Sequence, residues 1–241
     1  MKPFVLLQTR PEYIASQGEY KSFLELGELN KEHLIRVRMD KGQFWKIDLA
    51  KVSGLILPGS PFNAGSKTTE TRQKEIENKL FELLDRVIKN DFPFLSICYG
   101  IGLLGVYTKT PISSKYSETL SVVKIELTKA GLDDKLLKGV NNNFPCITGH
   151  KIALDKLPSK ATLLASTAKC PIQMLRIKNN IYSTQFHPEL NYHSLSVRAK
   201  IYKNHGYFTP DNLAKILKLA SQKNYTQANK ILKNFVSFYQ K

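Results

Sequence analysis

Phe92-Pro93-Phe94-Leu95-Ser96-Ile97-Cys98-Tyr99-Gly100-Ile101-Gly102-Leu103-Leu104-Gly105 runs a strand-length apolar segment straight into an apolar helical one, with a cysteine at the join. Strand followed at once by helix is the building unit of an α/β sheet. Ser96 and Gly100 stand two residues to either side of Cys98. A side chain held up on a strained strand-to-helix turn needs such small neighbours, because the backbone passes close by. A thiol at a helix N-terminus also feels the positive end of the dipole, which favours thiolate. Two other readings fit the same residues. Free cysteine is often simply buried, and Gly100, Gly102 and Gly105 spell the GxGxxG of dinucleotide-binding turns. Against that fingerprint, Pro111 cuts the following helix short and Thr108–Lys115 reads as loop. Glu126 is the available stand-in for the ribose-binding acid.

Upstream, Phe4–Leu7, Leu34–Val37, Gly54–Leu57 and Pro93–Ile97 are short apolar runs beside turn residues, as strands require. Between the last two, Ile76, Leu80, Leu83, Leu84, Val87 and Ile88 recur at helical spacing. Thr68, Thr69 and Glu70 offer capping groups at the start of that helix, and Asn90-Asp91 before Pro93 ends it. Downstream of Pro111, Val122–Leu127, Ala161–Ala165, Ile172–Ile177 and Ile181–Phe186 read as strands, the last two joined through Lys178-Asn179-Asn180. Two helical segments close the chain from about residue 193, the last with Ala228, Ile231, Leu232, Phe235, Val236 and Tyr239 on one face. The expectation is one α/β domain over 1–241, with an open, mainly parallel mixed sheet flanked by helices.

A second candidate stretch is Ile181-Tyr182-Ser183-Thr184-Gln185-Phe186-His187-Pro188-Glu189, a strand that Pro188 stops. Residues two apart on a strand share a face, so His187 and Glu189 are expected at one site. A carboxylate there fixes the imidazole tautomer and leaves the other nitrogen to take a thiol proton. A lone HxE also arises by chance, and of the other histidines His150, after Gly149, is placed most like a site residue. A third stretch, Pro58-Gly59-Ser60-Pro61, follows the third strand; glycine there lets the backbone aim an amide at a developing oxyanion. Gly65-Ser66-Lys67-Thr68 imitates a phosphate-binding loop, but its spacing from Gly59 is one residue too long and Pro61 removes an amide.

Composition narrows the classes. Forty-two per cent hydrophobic residues and 241 positions suit a globular core. No apolar run approaches a membrane span, and Phe4–Leu7 is too short for a signal-peptide core. Cys98, Cys146 and Cys170 are odd in number and far apart, so spacing supports neither a disulfide framework nor a metal knuckle. A reducing cytoplasm is expected. The net charge of +16 is concentrated after Pro111. It reads as a solvated lysine-rich surface or as an anionic-partner face, with no nucleic-acid-binding motif to support the second.

Order and spacing are more specific than any one motif. A PGSP loop after the third strand, Cys-x-Gly after the next, and a late Gln185-Phe186-His187-Pro188-Glu189 together resemble a class I glutamine amidotransferase. Gly149-His150-Lys151, Leu163–Ser166, Cys170-Pro171-Ile172-Gln173 and His205-Gly206-Tyr207-Phe208 resemble the amidotransferase domain of GMP synthase, in its stand-alone form. The resemblance implies that Cys98 attacks the side-chain amide of glutamine, that His187 oriented by Glu189 moves the protons, and that amides near Gly59, Ser60 and Tyr99 hold the oxyanion. A glutamyl thioester then yields to water. No cofactor is implied, and a separate synthetase would use the ammonia. The family pattern Gly-x-Cys-x-Gly-x-Gln departs here at Ser96 and Gly102, and Gly102 removes a side chain that helps hold the substrate. A γ-glutamyl hydrolase and a non-catalytic binding protein on the same scaffold are the competing expectations.

Overall fold

The computed structural model describes residues 2–44, 46–65, 71–204 and 206–241. In chain order the elements are β1 Phe4–Gln8, α1 Tyr13–Leu26, β2 Leu34–Arg38, β3 Gly54–Leu57, α2 Thr71–Lys89, β4 Phe94–Ile97 and α3 Tyr99–Tyr107. There follow β5 Ile112–Ser113, β6 Glu118–Leu127, α4 Lys129–Leu132, β7 Asn143–His150, β8 Ala153–Leu154, β9 Ala161–Ser166, β10 Met174–Ile177 and β11 Ile181–Thr184. The chain closes with α5 Tyr192–Ile201, α6 Leu213–Ser221 and α7 Thr226–Tyr239.

Nine strands form one sheet in the order β2-β1-β3-β4-β11-β10-β9-β6-β7, while β5 and β8 pair apart from it. From β2 to β11 every pairing is parallel. β10 and β6 run against that direction, and β9 and β7 return to it. The sheet is therefore mixed and mostly parallel, with helices packed on it, as expected from the strand–helix alternation.

The central strands β1, β3, β4 and β11 are buried along their whole length, which is why they read as unbroken apolar runs rather than as alternation. Two cores result. Phe4, Leu6, Ile56, Leu95, Ile97 and α7 form one layer. Val5, Leu7, Leu55, Leu57, α2 and α3 form the other. Ile76, Leu80, Leu84 and Val87 of α2 face the sheet, while Leu83 and Ile88 are only half-buried. Thr68, Thr69 and Glu70, expected to cap α2, lie outside the described residues.

Three features differ from the expectation. Three helices, not two, close the chain. Helix α1 gave no apolar stripe because its buried residues are Ala15, Ser16, Glu19, Ser22 and Phe23, mostly small or polar. Strand β7 was hidden by Pro145 and Gly149. Proline is tolerated in it because β7 is an edge strand.

Candidate active site

Cys98 sits between β4 and α3 with φ 52° and ψ −85°, a left-handed conformation rare for a residue with a side chain. Its N–H donates to the Thr184 carbonyl of β11 at 2.7 Å, so the sheet holds the turn in place. A Cβ added at Gly100 would lie 2.2 Å from the Ser96 Cβ. The two small flanking residues are thus in mutual contact, and the elbow expected from the sequence is present. Ser96 Oγ donates to Ser183 Oγ at 2.7 Å, which satisfies a hydroxyl buried between β4 and β11. The remaining α3 glycines are packing positions: a Cβ at Gly102 would meet Ala64 at 2.9 Å, and one at Gly105 would meet Ile112 and Leu154. They pack against side chains rather than forming a phosphate cradle, and the dinucleotide reading loses its physical basis.

His187 and Glu189 face one site, but not by strand alternation. Strand β11 stops at Thr184. The chain then turns: the His187 carbonyl accepts from Leu190 N–H at 3.3 Å, with Pro188 one residue into the turn, where its fixed φ fits. Asn229 of α7 pins the turn by donating to the carbonyls of Pro188 and Leu190 at 2.7 and 3.0 Å. His187 Nδ1 meets Glu189 Oε1 at 2.8 Å, which leaves the other ring nitrogen for Cys98, a residue that lines the same pocket. Burial works against a charged imidazole here. The Glu189 carboxylate and the Cys98 sulfur outweigh it and raise His187 to about 9. Burial likewise opposes the Glu189 charge, yet His187 and Arg198 hold its carboxyl down at about 2.

Arg198 is the member that the sequence did not announce. It lies on α5, one residue among many basic ones. Its Nη1 donates to the same Glu189 Oε1 at 2.9 Å, and its Nη2 lies 3.7 Å from Glu19 Oε2. Glu19, buried on α1, also accepts from Arg10 Nε at 2.7 Å and from Gln8 Nε2 at 2.9 Å. Arg10 stacks over Tyr202, 5.2 Å from the ring centroid. A chain of charges therefore runs from Glu189 through α5 and α1 to the end of β1. Only the conjunction of Arg10, Glu19 and Arg198 in space reveals it.

Two pockets meet at Cys98. One takes in His187, Arg10, Leu190, Tyr202 and Phe208; the other takes in Tyr99, Gly102, Asn63, His150 and Lys151; Ser60 and Tyr207 line both. Gly59 packs so closely that a Cβ there would lie 2.9 Å from His187 Cε1 and 3.6 Å from Cys98 Cβ. Tyr99 opens α3, so its amide has no acceptor within the helix and points out at the positive end of the dipole. Its hydroxyl is turned away, donating to Glu77 at 3.1 Å. Cys98, His187, Glu189, Gly59, Ser60 and Tyr99 are thus gathered around one point. The other thiols are not. Cys146 and Cys170 are buried; burial, with nearby carboxylates, keeps the Cys146 thiol far above the ordinary range and pushes Cys170 up to about 12. His150 lines the pocket but is committed to Glu118, at 2.9 Å.

The family model for glutamine amidotransferase class-I matches residues 21–223. The chain belongs to that family. Among curated relatives, it is 32% identical over 145 residues to the glutamine-hydrolyzing GMP synthase of Hamiltonella defensa, an alignment taking in 58% of this chain and 26% of that one. It is 25% identical over 150 residues to a glutamine-hydrolyzing GMP synthase subunit from Methanosphaera stadtmanae, covering 62% and 72%. The chain thus spans about a quarter of the length of the long GMP synthases that it matches. Among solved structures, a glutamine amidotransferase from Thermotoga maritima superposes over all of both chains with TM-score 0.79 at 17% identity. One from Methylobacillus flagellatus gives 0.74 at 15%, over 100% of this chain and 96% of that one. These place the fold among class I glutamine amidotransferases. No helix among the described residues is long and apolar enough to cross a membrane.

Proposed function

We propose that this class I glutamine amidotransferase hydrolyses the side-chain amide of glutamine, with Cys98 as nucleophile, His187 as proton carrier and Glu189 as its orienting carboxylate. The observation that carries the reading is the convergence of a left-handed Cys98 at a helix N-terminus with a buried His187–Glu189 pair. In the reaction, the Cys98 proton passes to His187 and the thiolate sulfur bonds to the amide carbon. The developing oxyanion is held by backbone N–H groups near Gly59, Ser60 and Tyr99. Collapse breaks the C–N bond, His187 returns its proton to the departing nitrogen, and ammonia leaves a glutamyl thioester. Water, deprotonated by His187, then releases glutamate and restores the thiol.

The second reading, a γ-glutamyl hydrolase, draws on Gly102. In the family that position carries a glutamine that helps hold the substrate; here Ala64 fills the space its side chain would enter. The test is steady-state release of glutamate from glutamine and from γ-glutamyl amines by the same preparation. A higher kcat/KM on glutamine supports the first reading; a clear preference for the amines replaces it with the second. The ammonia acceptor belongs, on the proposed reading, to a separate synthetase, as the naming of the Methanosphaera relative as a subunit suggests.

A further inference from the structure

Beside the candidate active site lies a second cluster of buried polar side chains that the proposed reaction does not use. Glu118 opens β6 and His150 ends β7, and the two are register partners. The loop between β9 and β10 folds over them and brings in Cys170 and Gln173. Ligand atoms of Glu118, His150 and Cys170 lie within 4.8 Å of one another, and all three residues are buried. Sequence spacing concealed the group because its members come from three separate segments, 118, 150 and 170–173.

The hydrogen bonds around it are short of protons. Glu118 Oε2 faces His150 Nε2 at 2.9 Å and accepts from Gln173 Nε2 at 2.8 Å and Thr148 Oγ1 at 3.3 Å. Glu118 Oε1 and Gln173 Oε1 are both buried and, among the described residues, have no donor. A buried acceptor left so costs about 1–3 kcal/mol. His150 Nδ1 sits 3.2 Å from the Ile152 carbonyl, an acceptor that requires the ring proton on Nδ1. Nε2 faces an acceptor as well, the Glu118 carboxylate, so either the ring carries a second proton or a cation lies between the two.

We propose that Glu118, His150 and Cys170 bind a divalent ion of the zinc class. The donor set of thiolate, imidazole and carboxylate suits a borderline-soft ion. The Nδ1–H to backbone carbonyl contact is the outer-shell bond that orients a ligating histidine through Nε2. Charge also balances: a divalent cation with one carboxylate and one thiolate is neutral, which a buried site requires. Binding forms metal–sulfur, metal–nitrogen and metal–oxygen bonds, and the Cys170 proton, with any second proton on His150, leaves to solvent. No electron moves. The role is structural. His150 and Lys151 wall the pocket that holds Tyr99 and Gly102, and the Gly149 carbonyl lies 3.9 Å from Cys98 Sγ, so the ion would brace the strand end facing the nucleophile.

The experiment uses the full chain, purified without chelator. Zinc content is measured, and the protein is then stripped, titrated with cobalt(II) and followed by absorbance. The expected result is equimolar binding with a thiolate-to-cobalt charge-transfer band in the near ultraviolet, and a melting temperature raised by zinc. Cys170→Ser and Glu118→Gln should lose the band, whereas Cys98→Ala and Cys146→Ala should keep it. A band that vanishes in Cys98→Ala, or no band and no zinc-dependent change in melting, overturns the proposal. In the latter case a proton on His150 holds the cluster together. The glutaminase reading stands or falls separately, since none of these measurements reads turnover.

Discussion

At the residue scale, the proposed catalysis rests on how one carboxylate is shared. Glu189 gives a single oxygen to both His187 and Arg198, so the arginine restrains the carboxylate that aims the imidazole. His187→Ala should cost about 10⁴-fold in kcat while leaving the protein folded, as checked by circular dichroism. Arg198→Met should lower kcat by roughly 10–100-fold with little change in KM, since it misaims rather than removes the base, and Arg198→Lys should recover part of the loss. A KM effect alone in Arg198→Met would place that residue in substrate binding instead. The pair also predicts a pH signature. His187, raised from 6.5 to about 9, contributes stability that is complete below 6.5 and lost as pH rises through about 9. Glu189, lowered from 4.5 to about 2, contributes above 4.5 and loses it as pH falls towards 2. The melting-temperature gap between wild type and His187→Ala should therefore be widest between those limits and narrow steadily towards pH 9. A gap that grows towards pH 9 would contradict the pairing.

At the element scale, the decisive relation is between α3 and the loop after β3. Gly102 and Ala64 are close neighbours: a Cβ at Gly102 would lie 2.9 Å from that of Ala64. Gly102→Gln, which restores the family residue, should destabilise by about 1–3 kcal/mol through overpacking, and Ala64→Gly in the same chain should relieve most of it. Chemical denaturation of the two variants checks this; additive costs would show that the loop moves freely. The same elements show what the sequence could and could not convey. Strands β1, β2, β3 and β4 were legible because each is a short apolar run bounded by turn residues. The elbow was legible because its small flanking residues are a local requirement. Helix α1 was not, because Ser16, Glu19 and Ser22 are buried, the first two against partners from other segments, Gln8, Arg10 and Arg36. His187 and Glu189 were found for a partly wrong reason: a proline turn pinned by Asn229, not a strand face, brings them together.

At the scale of the whole molecule, the mixed sheet and its helices carry the candidate active site at the end of β4. On the proposed reading these 241 residues release ammonia but do not use it. Supplied with glutamine, ATP and xanthosine monophosphate, they should yield glutamate and ammonia and no amidated nucleotide. Adding a synthetase should then supply the missing product and raise the glutaminase rate. The surplus of lysine beyond Pro111 offers positive charge to an acidic partner. If such a partner binds, its affinity should fall steeply with added salt, because exposed charges are screened over about 10 Å at 0.1 M.

The central claim is that Cys98 carries the acyl group. Rapid mixing with glutamine, acid quench and peptide mass analysis reads it directly. The expected result is a glutamyl adduct on the peptide containing Cys98, absent from Cys98→Ala and never found on Cys146 or Cys170, with adduct building up when His187 is replaced by a weaker base. Glutamate released at the wild-type rate by Cys98→Ala, or an adduct on another residue, would contradict it.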